Sequence, residues 1–80
     1  MGIKKAILSR IKKLCEDKKI TLNMLANLSG ITPSTVYSMF EEVHNDMGVV
    51  ALKKICDGLE ISVTEFFNDE IFKALEQEIH

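Results

Sequence analysis

The side chains able to do chemistry unaided are few: Cys15 and Cys56, His44 and His80, the single tyrosine Tyr37, and the hydroxyls of Ser34 and Ser38. Pairing Ser34 or Ser38 with His44 as nucleophile and base would need a strained nucleophile turn, an oriented imidazole and a donor pair for an oxyanion. The sequence contains none of these. His44 falls in a polar stretch and His80 is the last residue, so neither shares a face with Cys, Asp or Glu at metal-ligand spacing. Cys15 and Cys56 fit no disulfide framework or zinc pattern and lie on apolar helix faces, as buried free thiols do. Met24, Met39 and Met47 sit near apolar faces and read as core filling. The expectation is a non-enzyme without cofactor or metal. Tyr37 keeps two readings, a ring packed along its own helix or a stacking or phosphate contact.

These residues have to be positioned by helices. Thr21 to Phe40, TLNMLANLSGITPSTVYSMF, reads as two short helices joined by a tight turn. Thr21 caps Leu22–Ser29, and Thr32 caps Pro33–Phe40 with proline at the first helical position, where a missing N–H costs nothing. Gly30 stands where the chain needs a positive φ to turn. Leu22, Leu25, Ala26 and Leu28 are the apolar side of the first helix; Ile31, Val36, Met39 and Phe40 continue it. A helix, a short glycine turn and a second helix form the geometry that lets the second helix protrude into a DNA major groove.

Before this pair, Ile3, Ile7, Ile11, Leu14 and Cys15 recur at helical spacing and predict an amphipathic helix ending near Lys18. After it, Glu41–Asp46 reads as a loop, with Asp46 as cap of a helix whose buried stripe is Val49, Leu52, Ile55, Cys56 and Leu59, fraying at Gly58. Ser62 and Glu65 have capping-box spacing and open a fifth helix that carries Phe66 and Phe67 inward. Asn68 or Asp69 caps a sixth, with Ile71, Phe72, Leu75 and Ile79 along one side. No strand signal interrupts the series, so the chain is expected to be all-α.

Eighty residues suffice for one small core. No apolar run approaches a membrane span and no signal-peptide pattern opens the chain, so the cytoplasm is the expected compartment. The net charge of −2 is unevenly spread. Residues 1–40 carry seven basic side chains (Lys4, Lys5, Arg10, Lys12, Lys13, Lys18, Lys19) against Glu16 and Asp17, whereas residues 41–80 carry three against ten acids. A polyanion would be drawn to the first half and repelled by the second.

With helices in this order, the sequence resembles the Cro/cI-type (XRE-like) helix-turn-helix regulators. The landmarks are RIKKLCEDKKIT (Arg10–Thr21), LANLSGITPSTVYSM (Leu25–Met39), LKKICDGLEIS (Leu52–Ser62) and TEFF (Thr64–Phe67). The resemblance implies a five-helix lambda-repressor-like DNA-binding domain over residues 1–68, with an extra amphipathic helical tail over residues 69–80. It further implies a sequence-specific transcriptional regulator that inserts Pro33–Phe40 into the major groove. Carried over position by position, Pro33, Ser34, Tyr37 and Ser38 would face base edges. Thr21, Asn23, Thr35, His44 and Asn45 would face phosphates, with Leu22 in the same region. The implied partners are double-stranded DNA and a second copy of the chain, reached here through the tail stripe.

The chain departs from the family pattern in several places. Leu22 stands where a phosphate-spanning Gln is common, and Glu41, Glu42 and Asp46 stand where a basic loop is usual. No Arg, Lys, Gln or Asn lies on Pro33–Phe40 for bidentate base contacts. Cys15 and Phe40 replace a family Arg–Glu pair, predicting that the two touch in the core and that Phe40→Glu would destabilise strongly by stranding a charge. These departures support an alternative, a helix-turn-helix protein-interaction module with weakened or lost DNA binding.

Overall fold

Three helix ends close by one device. The computed structural model describes residues 2–41 and 47–79, and in it Lys19, Gly30 and Glu60 take left-handed φ values of 57°, 71° and 58°. Each is followed by an isoleucine whose N–H reaches back to a carbonyl of the helix just ended: Ile20 to Cys15 at 3.0 Å, Ile31 to Ala26 at 3.1 Å, Ile61 to Cys56 at 3.0 Å. This is the Schellman closure, in which orphan carbonyls are satisfied and an apolar residue tucks under the last turn. All three isoleucines pack against the core. Next comes a hydroxyl that caps the following helix. Thr21 accepts from the Met24 N–H at 3.1 Å, Thr32 from Thr35 at 3.3 Å and Ser62 from Glu65 at 3.0 Å. A left-handed residue, Ile and Thr or Ser thus form the junction three times.

The elements so delimited are α1 (Ile3–Lys18), α2 (Leu22–Ser29), α3 (Pro33–Met39), α4 (Val49–Gly58), α5 (Val63–Phe67) and a short 3-10 helix, Glu70–Ala74. The fold is all-helical. Ile7, Ile11, Leu14 and Cys15 from α1 meet Leu25 of α2, Leu52, Ile55 and Cys56 of α4, and Leu59 and Phe66 in one core. Phe66 is fully buried, and its ring lies 5.1 Å from that of Phe67 and 6.1 Å from that of Phe72. Val36 fastens α3, and Ala26 is fully buried where a larger side chain would hold α2 off its neighbours.

Several expectations are corrected. Phe40 is the residue after α3, and it is half-buried, with Lys12 Nζ 5.3 Å from its ring centroid. Phe40 packs against the core cluster that contains Cys15, but a charge at position 40 would meet solvent and Lys12 and would not be stranded. Leu28 is 59% exposed because Leu25, Ala26 and Ser29 form the inward face of α2, and at 100° per residue Leu28 lies about 110° round from it. Val49 is 81% exposed as the first residue of α4, before the buried turns begin. Gly48, not Asp46, is the N-cap of α4, and Asp46 lies outside the described residues.

Gly58 does not fray its helix. A Cβ there would lie 2.3 Å from Ser29 Oγ and 3.0 Å from Ser29 N, so the glycine lets the last turn of α4 press on the end of α2. The tail differs most from expectation. Only Glu70–Ala74 is helical, as a 3-10 turn capped by Asp69, and Leu75 is extended at φ −77°, ψ 141°. A segment this short cannot sustain an α-helix by itself. The Phe72 ring is held 4.9 Å from Phe67, and the chain then runs back to α1, where Glu78 accepts the Ile3 N–H at 3.3 Å.

Candidate nucleic-acid interface

The first turn of α3 is set by Thr32 and Pro33, which start the helix without a free amide at its first position. The Thr32 hydroxyl is the hub of this surface. Its Oγ1 accepts the Thr35 N–H and lies 2.8 Å from Thr35 Oγ1 and 3.2 Å from Ser34 Oγ. Ser38 Oγ donates to the Thr35 carbonyl at 2.9 Å. Pro33, Ser34, Thr35 and Tyr37 are exposed, Tyr37 at 49%, while Val36 on the opposite side is fully buried. A rigid helix turn therefore presents a ring, a pyrrolidine and a cluster of hydroxyls to solvent.

Four expected base-facing residues, Pro33, Ser34, Tyr37 and Ser38, lie together on α3, with Ser38 half-buried. Of the expected phosphate-facing set, Thr35 belongs to the hydroxyl cluster, while Thr21 and Asn23 are exposed at the start of α2. Leu22 between them is half-buried against the core, and its side chain has no polar group to offer a phosphate. His44 and Asn45 lie outside the described residues, as do Glu42 and His80. Glu41 is exposed, and its carbonyl accepts from Lys4 Nζ at 2.9 Å.

Charge around the site follows sequence only in part. Arg10, counted among the basic side chains of the first half, is 9% exposed and is spent inside the fold. Its Nε donates to the Phe66 carbonyl at 2.8 Å, Nη2 to the Glu65 carbonyl at 3.0 Å and Nη1 to Asp69 Oδ2 at 3.2 Å. Lys13 Nζ meets the same carboxylate oxygen at 3.2 Å. Backbone donation from Ile71, then Lys13 and Arg10, hold the Asp69 carboxyl below the usual range. Lys18 and Lys19 remain exposed immediately before the α2 cap. The signal for Arg10 in the sequence was its place between Ile7 and Ile11 on the inward stripe.

Burial pushes both thiols, Cys15 and Cys56, above the ordinary cysteine value, so neither is primed as a nucleophile. Among the described residues no three His, Cys, Asp or Glu side chains gather as a metal site, and no helix is long and apolar enough to cross a membrane.

A helix pair closed by glycine, with the second helix anchored by buried Val36 and half-buried Met39 and exposed along Pro33, Ser34 and Tyr37, has the geometry of a helix-turn-helix domain. The model of the Cro/C1-type HTH DNA-binding domain matches residues 10–70, and the chain belongs to that family. Its fold is similar to that of a solved protein described as prophage Lp1 protein 11. The TM-score is 0.78 at 30% identity, over 86% of this chain and 92% of that one. No curated protein matches the chain. The family makes this a DNA-binding regulator of the Cro/C1 type.

Proposed function

We propose that the chain regulates transcription in the cytoplasm by laying α3 in the major groove of a specific duplex site. Pro33, Ser34, Tyr37 and Ser38 would contact base edges, while Thr21, Asn23 and Thr35 contact phosphates on either side. The observation that carries this is the outward face of α3, combined with a tail that folds onto the start of α1. His44 and Asn45, outside the described residues, are the remaining proposed phosphate contacts. Lys18 and Lys19 supply positive charge beside the α2 cap, partly replacing the withdrawn Arg10.

The test is binding of labelled duplexes selected from a random pool. Selective binding whose affinity falls steeply with added salt is expected, because each neutralised phosphate releases counterion. Absence of selective binding at low salt would dismiss the reading.

A second reading, an interaction module, draws on the exposed Leu28, Val49 and Val50, which no described element covers. Retention of a protein partner by a variant carrying Leu28→Glu and Val49→Glu would count against it. A second copy joined through the tail is the remaining proposal. Sedimentation of the full chain against one ending at Ala74, which keeps Phe72, separates it from a monomer.

A further inference from the structure

We infer that α3 reads thymine methyl groups and cytosine or adenine amino groups, and is nearly blind to guanine. This inference rests on the proposed docking of α3 and names what that surface selects.

In the major groove guanine offers only acceptors, N7 and O6, so reading it takes donors, usually the paired N–H groups of Arg or Lys. Pro33 to Phe40 carries neither, nor any side-chain amide. The hydroxyl protons are also largely engaged. Thr32, Ser34 and Thr35 hold three between them, and the two contacts at 3.2 Å and 2.8 Å within the cluster occupy two of those. The Ser38 proton goes to the Thr35 carbonyl. Among the side chains of α3, apart from one proton of the cluster, only the Tyr37 hydroxyl is left as a donor.

What this surface retains is acceptor capacity and carbon. A hydroxyl whose proton is committed still has a lone pair, and can accept from cytosine N4 or adenine N6 one bond at a time. The carbon comes from the Pro33 and Tyr37 rings, both exposed and four residues apart, so they lie one helical turn apart on one side of α3. Apolar groups of this kind meet the thymine C5-methyl. The cap that starts the helix thus also decides what the helix can read.

The experiment takes the enriched duplexes of the full chain and replaces, one at a time, each thymine under α3 by deoxyuridine, which deletes only the methyl. Removing one buried methyl group is expected to weaken binding about three- to fivefold at one or two positions. Replacing guanines by 7-deazaguanine is expected to leave affinity unchanged. Pro33→Ala keeps a residue suited to the first helical turn and loses the ring carbon. It should erase the thymine–uracil difference at one position while the circular dichroism and thermal midpoint stay close to the parent. Indifference to uracil at every position, or a loss with 7-deazaguanine, overturns the inference while leaving DNA docking intact. A pool with no enriched duplex at all overturns both.

Discussion

Arg10 and Asp69 stand 59 residues apart in the chain, yet their side chains meet at 3.2 Å, at the point where α5 gives way to the 3-10 turn. The same guanidinium takes the Phe66 carbonyl at the end of α5 and shares the Glu65 carbonyl with the Asn68 N–H. One planar fork with several donors closes a helix end, which a lysine ammonium cannot match in geometry. Arg10→Ala is expected to cost about 1–3 kcal/mol, since it leaves the buried Phe66 carbonyl without its donor and removes one contact from Asp69, which keeps Lys13 and the Ile71 N–H. Arg10→Lys should recover less than half of that loss. Urea unfolding of the three proteins measures both.

The same carboxylate, held first by the Ile71 N–H and then by Lys13 and Arg10, also sets an acid limit. Asp69 has its folded-state carboxyl pKa depressed, so its contribution is present above the ordinary carboxylate value and fades as pH falls through the lower, folded value. Stability should therefore drop below about pH 4, the ordinary range for an aspartate. Asp69→Asn should be less stable at neutral pH and flatter in its acid dependence. Thermal midpoints of both proteins from pH 7 to pH 2 decide it.

Gly58 reverses a common rule. Ala for Gly inside a helix ordinarily gains about 1 kcal/mol. Here the new Cβ would fall 3.0 Å from Ser29 N and 3.1 Å from the Leu28 carbonyl carbon, backbone atoms that cannot step aside. Gly58→Ala is expected to destabilise by about 1–3 kcal/mol. Ser29 Oγ, a buried hydroxyl without a hydrogen-bond partner, adds the closest clash at 2.3 Å. In a Ser29→Ala background the penalty should shrink, giving a measurable coupling energy.

The three junctions predict opposite signs for related substitutions. Gly30→Ala forces a Cβ onto a φ of 71° and should cost about 1 kcal/mol. Lys19→Gly and Glu60→Gly relieve the same strain at φ 57° and 58° and should each be neutral or stabilising by up to about 1 kcal/mol. Chemical denaturation of the three variants is the measurement. A destabilised Glu60→Gly would show that strain at that turn is not what limits stability.

Tyr37 should separate function from folding. Its ring is half exposed on α3, whereas Val36 is fully buried. Tyr37→Ala is expected to move the thermal midpoint little and to lower affinity for a selected duplex by about tenfold or more, as the loss of one recognition contact does. A large fall in stability with unchanged affinity would instead make it a packing residue.

The order of the helices, the caps Thr21, Thr32 and Ser62, the turn at Gly30 and the buried stripe of α1 were all legible without coordinates. Each is decided by neighbours within a turn or two of the chain, through φ preference, capping or helical period. The recurrence of Ile before each cap was also there to be seen, as KIT, GIT and EIS. Arg10 was legible as a charge set on the inward stripe, Gly58 only as a helix breaker, and the tail only as a stripe. Their roles depend on partners far along the chain: Phe66 and Asp69 for the arginine, Ser29 for the glycine, and the Phe67 ring for Phe72. Local sequence sets which conformations cost little, and it did so here for nearly every helix end. Which charge is spent, where two helices can touch and where the tail lies are settled by long-range contacts, because desolvation and steric overlap exist only once distant segments have been brought together.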